Sequence, residues 1–262
     1  MLFPSKFGFS DPAFFYRYWF PAKIRNRLSR YRIRAAESLS SQRHWGMDAS
    51  RYFGIPLEEV TRRAATTTDQ WEKFPRRKEG DYRSYYLETD HECYRQLWYH
   101  RHDAWYEILA VHRPNDQVLD YGCGVGAVAS WLLRRRPKMK LTLADIPSQT
   151  LEFARWRLGN RVRFVEIGSS DKEFPGLGKF NIIICLEALN HMINPLDVVL
   201  YFYNHLEKGG YLFTDFTSHP GGVHLYESES QRLQAIQFLN SNLRPIRPLH
   251  SKSCEGAIYQ RS

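Results

Sequence analysis

The chain has 262 residues, 43% of them hydrophobic and 25% charged, with a formal net charge of +9. That balance is ordinary for a soluble globular protein, and the length supports one ample core or a core domain with a smaller cap. Cys93, Cys123, Cys185 and Cys254 form no C-x-x-C pair, which argues against a zinc site and a disulfide framework and fits a reducing, cytoplasmic setting.

The basic excess gathers at the start. Residues 1–51 carry ten Lys and Arg against three Asp and Glu, and the first twenty residues are dense in Phe, Tyr and Trp. Lys6, Asp11 and Arg17 interrupt the apolar run, so it falls short of the ~18 residues that span a bilayer, and no signal-peptide pattern is present. Three readings stay open. The segment is an aromatic arm followed by a solvated basic helix, a peripheral membrane or protein contact through residues 1–34, or a nucleic-acid contact. The spacing of Arg25, Arg27, Arg30, Arg32 and Arg34 is too close for a single helical stripe, which favours a solvated or polyanion-facing segment.

Residues 52–112 read as a helical cap or lid. A helix starts near Ile55-Pro56-Leu57, and Phe74 to Gly80 is a polar break. Asp81 to Ala110 reads as one long helix or two abutting ones, with apolar residues recurring at spacings of three, four or seven. The stretch is rich in side chains suited to a polar aromatic substrate, among them Tyr86, His91 and Tyr94. Its histidines lack i, i+4 spacing, and no metal is expected.

Residues 113–262 alternate strand and helix. Strands are expected at Gln117 to Asp120, Lys140 to Ala144, Val162 to Ile167, Phe180 to Leu186 and Tyr211 to Asp215. Two more follow near Leu243 to Leu249 and Gly256 to Gln260. Helices lie between them, one closed by Pro137, one by Gly159, and one capped by Asn194-Pro195 and ending at Glu207 to Gly210. The fold class is therefore α/β, with a mostly parallel, doubly wound sheet. The first strand ends in Asp120-Tyr121-Gly122-Cys123-Gly124-Val125-Gly126. Glycines at alternate positions allow φ > 0 and close approach of a ligand to the backbone. Alone the run is ambiguous, since Gly122-x-Gly124-x-x-Ala127 also satisfies the dinucleotide fingerprint.

The run resembles motif I, D/E-x-G-x-G-x-G, of class I S-adenosylmethionine-dependent methyltransferases. Three further features agree in order and place. Asp145 ends the second strand, Glu187-Ala188-Leu189-Asn190-His191 is similar to the E-x-L-x-H stretch of the small-molecule branch, and Leu206 to Leu212 is similar to the L-x-P-G-G-x-L loop, with Lys208 in place of Pro. The resemblance implies a seven-stranded Rossmann-like sheet of order 3-2-1-4-5-7-6 with the seventh strand antiparallel. It implies S-adenosyl-L-methionine as cofactor, with Asp120 facing its amino end across the turn of Gly122, Cys123, Gly124 and Gly126. Asp145 would accept hydrogen bonds from both ribose hydroxyls. Ile146 and Leu186 belong to the same implied set. Ser169 falls where the family has an acid for the adenine amino group. Glu187 and His191 lie beside the methyl group, and His191 is the candidate base. The function expected is methyl transfer to a small or amphiphilic metabolite. An RNA methyltransferase using the basic N-terminus, and a scaffold that kept the fold, are the alternatives.

Overall fold

The computed structural model describes residues 42–73, 79–99, 104–168, 176–192, 194–217, 229–250 and 254–262. The N-terminal arm up to residue 41, and Ser169, lie outside them. Helices α1 (Gln42–Phe53), α2 (Leu57–Lys73), α3 (Glu79–Glu88), α4 (His91–Tyr99) and α5 (Ala104–Val111) precede the sheet. Then come β1 (Gln117–Tyr121), α6 (Ala127–Arg135), β2 (Lys140–Asp145), α7 (Gln149–Leu158), β3 (Arg163–Glu166) and β4 (Phe180–Cys185). The chain closes with α8 (Pro195–His205), β5 (Leu206–Thr217), α9 (Glu229–Asn242), β6 (Arg244–His250) and β7 (Cys254–Gln260).

The strands form one sheet in the order β3-β2-β1-β4-β5-β7-β6. Every pairing from β3 to β5 is parallel, and β7 runs antiparallel to β5 and β6. This is the seven-stranded Rossmann-like architecture that the resemblance implied. Strand periodicity divides the core in two. Val118, Leu143, Ile182 and Ile184 face α6, α7 and the N-terminal helices, while Leu119, Ala144, Ile183 and Cys185 face α8 and α9. β1 and β4 are apolar on both faces, as buried parallel strands are. β6 sits at the sheet edge, where Pro245 and Pro248 are tolerated because no further strand needs their missing N–H groups.

The structure departs from the expected elements in three places. Among the described residues, the stretch from 81 to 110 is broken at Thr89-Asp90 and includes α3, α4 and α5. At the first break Thr89 donates its hydroxyl to the Tyr85 carbonyl at 2.7 Å, and the Asp90 carbonyl accepts from the Cys93 N–H. Such local bonds compete with continued helix. Asn194 precedes α8, but its side chain makes no capping bond and instead accepts from Gln231 of α9. β5 begins at Leu206 rather than Tyr211. Leu206 pairs with Phe180 and Tyr211 with Ile182, so the intervening residues bulge out, with Gly209 at φ 76°.

The N-terminal helices share the α6/α7 face. α1, α2 and α4 pack on one another, and α1, α3 and α4 pack on α7. Tyr52, Phe53, Phe153 and Trp156 form an aromatic joint between α1 and α7. Arg157 of α7, its side chain 3% exposed, pairs with Asp48 of α1 at 3.0 Å. Ile183 is wholly buried in the central strand β4, so Ile183→Ala should cost about 2–5 kcal/mol in urea unfolding. Leu233→Ala on the exposed side of α9 should stay within about 0.5 kcal/mol. Comparable losses in the two variants would contradict this packing.

Candidate active site

The carboxyl ends of β1, β2 and β4 open on one cleft with an empty volume of about 960 Å³ out to its mouth. This is where ligands bind in open α/β sheets. Asp120 and the turn Gly122-Cys123-Gly124 form one wall, and Asp145 with Ile146 another. Leu186, Glu187, Ala188, His191 and Met192 line it after β4, and Tyr86 of α3 and Gln96 of α4 reach it from the N-terminal helices.

The glycine turn leaves no room for side chains. Gly122 and Gly124 stand at φ 75° and 51°, a region closed to most residues. A Cβ on Gly122 would lie 2.4 Å from that of Ala188, and one on Gly124 2.0 Å from Gln96 Oε1. Gly126 serves differently. It starts α6 at φ 66°, away from the cleft lining, where a Cβ would come within 2.8 Å of Leu158 on α7.

Two carboxylates, Asp120 and Asp145, line the cleft beside this turn. Asp145 accepts the Gly124 N–H at 2.6 Å and the Ile146 N–H at 2.8 Å. Each oxygen keeps a further lone pair. Asp120 is 3% exposed, and its Oδ2 has no hydrogen-bond partner among the described residues. Burial, with the Asp145 charge adding to it, pushes the Asp120 carboxyl up to about 7. Burial raises Asp145 to about 6, against the lowering effect of its two amide bonds.

The loop after β4 is strained and held. Glu187 takes φ 54°, unusual for a residue with a Cβ and worth on the order of 1–3 kcal/mol. Its N–H donates to Asp215 Oδ1 at 2.6 Å, and Asp215 is 2% exposed on β5. The strain aims the loop so that Glu187 and His191 both line the cleft.

Of the residues singled out in the sequence, Asp120, Gly122, Cys123, Gly124, Asp145, Ile146, Leu186, Glu187, His191 and Tyr86 come together on this cleft. Tyr94 and His91 do not. Tyr94 is fully buried between helices, its ring tilted against Phe53 and its hydroxyl bonded to Asp90 and Arg63. His91 lies 3.8 Å from Asp90, off the lining. Gln96 and Asp215 were not anticipated. The faint signal for Gln96 is its position four residues after Glu92, a polar pair on an aromatic helix.

The residues present fit the methyl donor that the sequence implies. A buried carboxylate with an unsatisfied oxygen suits a cationic amino end, a half-buried carboxylate with lone pairs to spare suits adjacent hydroxyls, and the Gly122 and Gly124 backbone lies open on the cleft. A family model described as a methyltransferase domain matches residues 94–253, more than half of the chain. The chain belongs to this family. It is a class I S-adenosylmethionine-dependent methyltransferase domain.

Ribosomal RNA small subunit methyltransferase C from Haemophilus influenzae is 32% identical over 101 residues, covering 37% of this chain and 31% of that protein. Ubiquinone biosynthesis O-methyltransferase from Vibrio parahaemolyticus is 27% identical over 100 residues, covering 37% of this chain and 42% of that protein. The match thus spans less than half the length of these curated relatives, 31% of one and 42% of the other. Magnesium protoporphyrin IX methyltransferase from Synechocystis, solved with bound SAH, aligns at TM-score 0.47 and 17% identity, over 61% of this chain and 80% of that one.

The raised carboxyl groups make a pH prediction for the methyltransferase domain. Asp120 and Asp145 hold protons more tightly folded than unfolded. Their contribution to stability is therefore complete below the ordinary carboxylate range and lost as pH rises through about 6 and 7. Without ligand, the wild-type chain should lose more melting temperature between about pH 5 and pH 8 than Asp120→Asn, which cannot ionise. Equal slopes would contradict the buried, unpaired state of Asp120.

Proposed function

We propose that the chain transfers a methyl group from S-adenosylmethionine to a small or amphiphilic metabolite. The observation that carries this reading is that Tyr86 and Gln96, from the N-terminal helices, line the same cleft as Glu187 and His191. Helices bordering the cleft support an acceptor small enough to be held between them. Ile167, Leu186, Ala188 and Met192 make much of the lining apolar, as suits an organic substrate in a largely dry site.

When bound, the donor supplies an electrophilic methyl group on a positively charged sulfur. The chain's own residues do the rest. Asp120 holds the cationic amino end, Asp145 the ribose hydroxyls, and Gly122, Cys123, Gly124, Ile146 and Leu186 form the cradle. Such positioning is worth up to about 7–11 kcal/mol of a displacement barrier. Where the acceptor is a hydroxyl, His191, which lines the cleft after β4, would take its proton. The positive φ of Glu187, fixed by Asp215, sets the direction of this loop.

A second reading, methylation of RNA, is favoured by the rRNA methyltransferases among the relatives and by the basic excess of residues 1–51. Phosphate contacts would give RNA binding a steep loss with salt. Incubation with methyl-labelled donor and separated metabolite, lipid, RNA and protein fractions decides between them. Label in metabolite or lipid is expected, and label confined to RNA would overturn the proposal. Asp145→Ala should weaken donor binding at least about tenfold by calorimetry, a loss of about 1.4 kcal/mol. With the labelled fraction as acceptor, His191→Ala should keep donor affinity and lower turnover by about 10²-fold or more. Unchanged turnover would remove His191 as the base.

A further inference from the structure

A buried chain of hydrogen bonds runs from the glycine turn into the N-terminal helices. The Val125 N–H donates to Gln96 Oε1 at 3.1 Å, and Gln96 Nε2 donates to Glu92 Oε2 at 3.3 Å. The Tyr85 hydroxyl donates to Glu92 Oε1 at 3.0 Å. Arg95 pairs with the same carboxylate at 2.8 Å. Gln96, Glu92 and Tyr85 are all buried. The next residue, Tyr86, lies on the cleft, its ring edge-on to Tyr85 at 5.5 Å.

The chemistry fixes the order of this chain. A backbone N–H needs an acceptor, so the Gln96 oxygen faces Val125. An ionised Glu92 accepts only, so the Gln96 amino group faces Glu92. One amide therefore joins two elements that no sequence-local bond connects. The contact is also close, because only the missing side chain of Gly124 admits Gln96 Oε1 to the turn. Buried polar chains of this kind hold one geometry, since each unmet group is costly.

We propose that Gln96 and Glu92 are positioning residues that couple donor binding at the glycine turn to the placement of α3, and through it to Tyr86 on the acceptor side. The proposal rests on the reading of the cleft as the donor site. Coupling of this kind is reciprocal: whatever steadies the turn steadies α3 and α4, and disorder in those helices loosens the turn.

The test is hydrogen–deuterium exchange on the full chain, with and without S-adenosylhomocysteine, the demethylated donor. Wild type is expected to gain protection at residues 117–127 and also at 79–99. Gln96→Leu should bind the ligand about tenfold more weakly by calorimetry. At saturation it should gain protection at 117–127 but not at 79–99. Tyr85→Phe leaves the turn contact in place, so it should keep affinity and lose the added protection at 79–88. Equal protection of 79–99 in wild type and Gln96→Leu would overturn the coupling. If Gln96→Leu does not fold, equal protection of 79–88 in wild type and Tyr85→Phe overturns it instead. Wild type that binds ligand without protecting 79–99 also overturns it. Wild type that binds no ligand overturns the donor reading itself.

Discussion

Asp120 is a carboxylate at the carboxyl end of a central strand, buried, with one oxygen that no described group of the chain satisfies. The backbone donors nearby are spent elsewhere. Gly124 and Ile146 give their N–H groups to Asp145, and Gly122 and Cys123 give theirs to the Ala144 carbonyl. A buried anion without a partner is expensive, and its raised pKa is the form that expense takes. On the proposed function the positive charge of the bound donor relieves it. The glycine turn, Asp145 of β2 and the held loop after β4 surround the same cleft.

The turn is gripped on both sides of one residue, Val125. Gln96 of α4 accepts the Val125 N–H, and Arg157 of α7 donates to the Val125 carbonyl at 3.3 Å. Arg157 is buried against Asp48 of α1, and burial lowers its pKa to about 10 despite that partner. The N-terminal helices thus reach the glycine turn directly through Gln96, and indirectly through the Asp48–Arg157 pair. The family match begins at residue 94, within α4.

Much of the sheet was legible because local pattern and tertiary demand agree. Val118-Leu119 and Ile182-Ile183-Ile184 are apolar on both faces, and only a doubly covered parallel strand needs that. The acids Asp120 and Asp145 were legible because they end strands. The break at Thr89-Asp90 was hidden, since two hydrophilic residues fit a helical period as well as they fit a cap. Tyr94 looked like a substrate contact because its hydroxyl is polar. In the fold that hydroxyl is spent on Asp90 and Arg63. Gln96 and Asp215 were illegible for a common reason. Each bonds a backbone N–H far away in the chain, at Val125 and Glu187, and sequence periodicity carries no record of such pairs.

Calorimetric titration of the full chain with S-adenosylmethionine, repeated between about pH 5 and pH 7, addresses the role of Asp120 most directly. The account predicts saturable binding at one site that tightens as pH rises and Asp120 ionises, with a proton released on binding near the low end. In Asp120→Asn that pH dependence should shrink. Absence of binding, or affinity that strengthens as pH falls, would contradict it.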